Sequence, residues 1–156
     1  MKSKYAVSRL DNINLLIKYY ESSEIDEYTM SHIAKYITVL TSGTYEDIIK
    51  NLFIEYADGQ KVSREIRDYI LNHIGNTFRN PDFSNLIGLI NKFSKEWGEQ
   101  LKSRVSDEEK AYLNNIVTNK NLIAHGDVCT ISFSEIKKYF QKSLCIIENL
   151  EEIISN

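Results

Sequence analysis

The stretch YTMSHIAKYITVLTSGTYEDIIKNLFIEYA, Tyr28 to Ala57, decides the fold class. Its apolar stripe is Met30, Ile33, Ala34, Ile37 and Leu40, then Tyr45, Ile48, Ile49, Leu52, Phe53 and Tyr56. Intervals of three and four place these residues on one face of an α-helix, and the pattern holds for about eight turns. A strand would alternate with period two and end after roughly five or six residues. Asp58-Gly59 closes the helix. Ser42 and Gly43 interrupt its middle. A glycine inside a helix costs ~1 kcal/mol relative to alanine, so Gly43 predicts a bend or the close approach of another backbone.

The same period extends in both directions. Ile13, Leu16, Ile17 and Tyr20 form the stripe of a first helix over about 6–21, broken by the polar run Glu21–Glu27. Ser63 caps a third helix from Arg64 to Ile74, which Gly75 is expected to stop. NTFRNPD, Asn76 to Asp82, is the clearest loop and holds the only proline. A fourth helix is expected from Ser84 to Lys102, with Leu86, Ile87, Ile90, Phe93 and Trp97 inward. Ser106 and Glu109 form a capping box that opens a fifth helix running to His125, and Gly126 stops it. A second box, Ser132 with Glu135, opens the last helix, and Ile131 and Ile136 flank it as a hydrophobic staple.

Composition agrees. Apolar residues make up 42% and charged residues 26% of 156 positions, the balance of a globular chain of one domain, 1–156. One proline and six glycines leave too few turn residues for a sandwich or barrel. A net charge of −3 excludes a basic coat over the whole surface but leaves room for a local basic patch. Cys129 and Cys145 lack zinc-type spacing and read as free, buried thiols. The N-terminus has no apolar leader, and no segment nears the ~20 apolar residues of a membrane span. A cytoplasmic protein without membrane contact is the expectation.

The fifth helix holds polar residues that do not fit its stripe. At ~100° per residue Lys120 lies about 20° from Leu113, among Val117 and Ala124. Asn121 and His125, four apart, share one flank. A lysine in a packed seam has to find an anion, give up its proton or meet a partner surface. Two readings stand: a lysine that snorkels to the edge of a loosely packed face, or a polar pocket or interface built from Lys120, Asn121 and His125. The other histidines read as ordinary, with His32 at the surface and His73 packed on the third helix. No HxxxH, HExxH or acidic cluster suggests a metal. Lys92, Lys95, Lys102 and Arg104 form either a solvated face or a strip for RNA contact.

NKNLIAHG, Asn119 to Gly126, resembles the signature of the HEPN superfamily: an Arg, a polar residue that is often Asn, three further residues, then His. Asn121, Ala124, His125 and Gly126 match, and Lys120 stands where the family usually has Arg. The segment VLTSGTYE, Val39 to Glu46, is similar to the small-residue stretch ending in Glu on the long helix of many HEPN proteins. The order of elements fits over most of the chain. Among subgroups the chain is most similar to RiboL-PSP-type HEPN proteins, whose neighbours include RNA-repair and conflict systems.

The resemblance implies an all-α, HEPN-like bundle of about five to six helices with one long central helix. It also implies a homodimer with the motif helices facing each other, and a metal-independent endoribonuclease that needs no cofactor. RNA carries its own nucleophile, the 2′-hydroxyl, so cleavage needs an acid or base and a cation on the phosphate. His125 takes the first role by this analogy and Lys120 the second. Asn121 orients His125 or the phosphate. Glu46 holds Lys120 or His125 across the helix pair, with Tyr45 and Gly126 in support. The products would be a 2′,3′-cyclic phosphate and a 5′-hydroxyl. Lysine keeps the charge of arginine but loses its planar, two-pronged grip. Two functions therefore stand. One is a toxin or phage-defence ribonuclease with an antitoxin or defence-system partner protein. The other is a weak or non-catalytic module that binds RNA, a nucleotide or a partner protein.

Overall fold

The computed structural model describes residues 1–155, and among them the chain forms seven helices and no strand. These are α1 (Lys4–Glu21), α2 (Glu27–Gly59), α3 (Arg64–Thr77), α4 (Phe83–Phe93), α5 (Lys95–Arg104), α6 (Asp107–His125) and α7 (Phe133–Ser155). α2 is the central strut of the bundle. It packs against α1, α3, α6 and α7, while α6 and α7 pack against each other. Its stripe supplies Ile37, Ile48, Ile49 and Phe53 to a core completed by Leu113 and Ile116 of α6 and by Phe140, Ile147 and Leu150 of α7. No helix of the described residues is long and apolar enough to cross a membrane.

Local chemistry sets the helix starts. Ser3, Asp26, Ser63, Asp82, Ser94 and Ser106 each cap a helix by accepting a backbone N–H from the first turn. The box at Ser106 is complete, with the Glu109 carboxylate accepting the Ser106 amide at 2.8 Å. The box at Ser132 and Glu135 forms in the same way, and Ile131 and Ile136 are both buried. At the other end of α7 the buried Glu151 carboxylate accepts the backbone amides of Lys2 and Ser3, tying the start of α1 to α7. Both cysteines are free, with Cys129 buried and Cys145 half-buried.

Two boundaries and one interior position differ from the sequence reading. The single helix expected over about 84–102 is divided at Ser94. The extended backbone there ends α4, and the Ser94 hydroxyl accepts the Trp97 amide to begin α5. The apolar stripe continues through the break, so periodicity alone reads one helix. Gly75 does not stop α3. The helix continues to Thr77, and the amide of the buried Phe78 closes the last turn on Ile74. Gly43 sits in an unbroken α2, where a methyl group would meet nothing within 4 Å. The backbone approach expected at Gly43 is therefore absent within the chain.

Tyr45 is wholly buried, as its place in the apolar stripe expects, and so lies in the core rather than beside the carboxylate of Glu46. Its hydroxyl donates to the Phe140 carbonyl at 3.1 Å and pairs with the Ser143 hydroxyl at 2.9 Å. Burial pushes its pKa up, so the phenol stays neutral and locks α2 to α7.

Two substitutions measure these assignments in urea unfolding. Gly43→Ala is expected to raise stability by about 0.5–1 kcal/mol, because it removes a helix-interior glycine without a clash. Tyr45→Phe is expected to lower it by about 1 kcal/mol, through loss of the hydroxyl pairing between α2 and α7.

Candidate functional site

The polar residues of the motif gather where the end of α6 meets α2 and the loop between α3 and α4. The stop of α6 is built from two backbone bonds. Gly126, at φ 77°, returns its amide to Ile123, and Asp127 returns its own to Leu122. Only a residue without a β-carbon takes that conformation readily, so Gly126 fixes His125 as the last helical residue. The His125 ring stands exposed there.

Lys120 lies one and a half turns back and is half-buried. Its ammonium donates to the Asn80 side-chain oxygen at 2.8 Å and to the Asn121 side-chain oxygen at 3.2 Å. Of the two readings left open by the sequence, the polar cluster is the one formed for Lys120 and Asn121. Its partners are neutral amides. Among the described residues no carboxylate lies within ion-pair distance of Lys120, so hydrogen bonds hold the head group while its charge remains uncompensated.

Asn80 is the joint of the site. Its backbone has φ 52°, a left-handed conformation that asparagine tolerates better than most residues. Its amide donates to Glu46 Oε2 at 3.2 Å, while its carbonyl accepts from the Asp82 amide at 2.8 Å and from the Asn85 side chain at 3.0 Å. Its side-chain oxygen takes Lys120. Glu46 is equally engaged. Besides Asn80 it accepts from Lys50 at 2.6 Å and from Arg79 at 3.3 Å. Counting Lys120, held through Asn80, three cations gather around one carboxylate. That leaves the region positive in a chain whose net charge is −3.

The structure therefore brings Glu46, Lys120 and Asn121 together, with a correction to the expected contact. Glu46 reaches Lys120 through Asn80 rather than directly, because the loop before α4 lies between α2 and α6. Among the described residues no hydrogen bond joins Glu46 or Asn121 to the His125 ring, which stands apart from the cluster within one chain. Lys50, Arg79 and Asn80 were not singled out in the sequence. Lys50 follows Glu46 by four residues, an ordinary helix pair. Asn80 precedes Pro81, which normally favours an extended backbone, so its left-handed turn had no local signal. The strip of Lys92, Lys95, Lys102 and Arg104 is divided by the break at Ser94. Lys102 and Arg104 on α5 pair with Glu99 and Glu152. No group of three His, Cys, Asp or Glu side chains among the described residues gathers in a way that would hold a metal ion.

A family model described as RiboL-PSP-HEPN matches residues 6–156 of the chain. No curated protein and no solved structure matches it.

The joint at residue 80 has a two-step test in urea unfolding. Asn80→Gly keeps the positive φ and removes the oxygen that holds Lys120, at an expected cost of about 1 kcal/mol. Asn80→Ala adds a β-carbon in the left-handed region and is expected to cost about 1 kcal/mol more.

Proposed function

The chain belongs to the RiboL-PSP-HEPN family, and on that premise we propose that it is a metal-independent endoribonuclease. The observation that carries the reading is the ammonium of Lys120, held in place by two amide oxygens with no carboxylate to neutralise it. Such a group is a fixed cation awaiting an anion, and the charge that develops on a phosphate during transfer is the anion it suits.

In this mechanism a ribose 2′-hydroxyl attacks the adjacent phosphorus and gives its proton to a base. The 5′-oxygen leaves and takes a proton from an acid, producing a 2′,3′-cyclic phosphate and a 5′-hydroxyl. His125 supplies this chemistry, since histidine changes charge near neutrality. Lys120 faces the phosphate, and Asn121 and Asn80 fix its position. In-line transfer asks for a base and an acid on opposite sides of the phosphorus, and one exposed imidazole cannot stand on both. A two-fold homodimer with the ends of α6 facing each other places two copies of His125 around one phosphate. The biological setting is a toxin or phage-defence system acting on RNA, with an antitoxin or defence-system protein as partner.

A second reading has one observation in its favour: among the described residues the His125 ring has no orienting hydrogen bond, whereas catalytic bases are usually held by a third group. On that reading the same cluster binds RNA, a nucleotide or a partner protein without turnover.

Cleavage of RNA in EDTA separates the two. The ribonuclease reading expects cleavage that leaves 2′,3′-cyclic phosphate ends, falls by roughly 10²-fold or more in His125→Ala, and rises in Lys120→Arg as the two-pronged grip returns. Binding of RNA with no cleavage by any of the three proteins, each dimeric in solution, would establish the binding module instead.

A further inference from the structure

Beside the Lys120 cluster lies a groove of about 400 Å³ between the end of α3 and the outer face of α4. Asn80 belongs to both, with its side chain on Lys120 and its backbone in the groove wall. Its lining is mostly polar, with Thr77, Asn80, Ser84 and Asn85 beside the buried Phe78 and Leu89. Two cations line it, Arg79 in the loop after α3 and Lys92 in the last turn of α4. Among the described residues no carboxylate lines the groove. The Arg79 guanidinium makes two long contacts, both through the same nitrogen, to Glu46 at 3.3 Å and to the Phe78 carbonyl at 3.4 Å. Its remaining N–H groups are left for a ligand. Lys92 makes no ion pair among the described residues, unlike Lys102 and Arg104. The Asn85 side chain uses its nitrogen on Asn80 and Asp82, which leaves its oxygen as an acceptor at the groove.

We infer that this groove is a subsite for single-stranded RNA, holding the nucleotide next to the phosphate that Lys120 faces. The amide and hydroxyl groups of Thr77, Asn80, Ser84 and Asn85 suit the hydrogen-bonding edge of an unpaired base and its ribose. Lys92, which has no ion-pair partner among the described residues, and Arg79, whose single-nitrogen contact to Glu46 leaves further N–H groups, take the flanking phosphates, with Arg79 suited to grip two oxygens at once. The continuity through Asn80 gives the bound strand its direction, from the groove over residue 80 to Lys120. The inference rests on the RNA reading of the Lys120 cluster and adds to it the residues that hold the strand beyond the reacting phosphate.

The test is binding of a fluorescein-labelled, mixed-sequence oligonucleotide with 2′-O-methyl riboses, which lacks the attacking hydroxyl. Anisotropy is followed across a salt series, alongside cleavage of the unmodified RNA. Arg79→Ala combined with Lys92→Ala is expected to weaken binding about tenfold or more. The slope of log affinity against log salt should also become shallower, by roughly 0.7 for each phosphate that is no longer neutralised. Gly88→Leu fills the groove without altering charge. Its β-carbon would meet nothing within 4 Å, so the fold should tolerate it, and binding is expected to weaken as well. Lys102→Ala combined with Arg104→Ala makes the same change in net charge on α5 and is expected to leave binding within about twofold. Wild-type binding that is unaffected by both the double variant at 79 and 92 and by Gly88→Leu overturns the subsite and leaves the ribonuclease reading standing. An equal weakening in the α5 control overturns it too, by showing a general charge effect. A wild-type protein that neither binds nor cleaves RNA overturns the subsite together with the reading on which it rests.

Discussion

One residue in a left-handed turn, Asn80, connects the three elements on which the site is built. Through its amide it takes hold of Glu46 on α2, through its side-chain oxygen it takes Lys120 on α6, and through its carbonyl it receives the start of α4. A residue with a longer or branched side chain would fail twice here, in tolerating the positive φ and in reaching Lys120 with a neutral acceptor. The neutrality has a consequence for charge. A carboxylate at this joint would pair with Lys120 and remove its attraction for an incoming anion. An amide holds the ammonium while leaving its field intact.

Glu46 serves the complementary purpose. Lys50, Arg79 and the Asn80 amide all converge on it, so one carboxylate brings together groups from α2 and the loop before α4. Without an anion at the centre, cations this close would repel one another and the loop would lose its anchor. With it, the region is ordered and still positive. That local sign runs against the net charge of the chain, which has an excess of acidic residues. The core beneath gives this arrangement its rigidity. Tyr45, the residue before Glu46 on α2, locks that helix to α7, and the buried side chains of Leu113 and Ile116 hold α6 in register with it.

Much of the architecture was legible in the sequence because its signals are local. The period of the long stripe, the caps at Ser63 and Ser106, and the glycine at 126 each act within a turn or two of helix, and each element formed where they pointed. The misplaced boundaries share one cause. At Ser94 the apolar stripe passes through a break, and at Gly75 burial of Ile74 and Phe78 carries the helix past a residue that would end an isolated one. Tyr45 and Glu46 show the same limit within the site. Adjacent in sequence and so about 100° apart on the helix, one is directed into the core and the other to the polar joint.

Helical class, the length of the central strut, the motif at the end of α6 and the anomaly of a lysine within an apolar stripe could all be read from the residues in order. These follow from side-chain periodicity and from cap chemistry, which depend on neighbours a few residues away. What Lys120 touches, the route from Glu46 to it through Asn80, and the groove that Arg79 and Lys92 both line came only with the folded chain. The contacts of Glu46 with Arg79 and Asn80, and of Lys120 with Asn80, join residues 33 to 40 positions apart, across a loop whose turn no local preference announced. The packing of α2 against α6 sets their distances, and that packing belongs to the whole core.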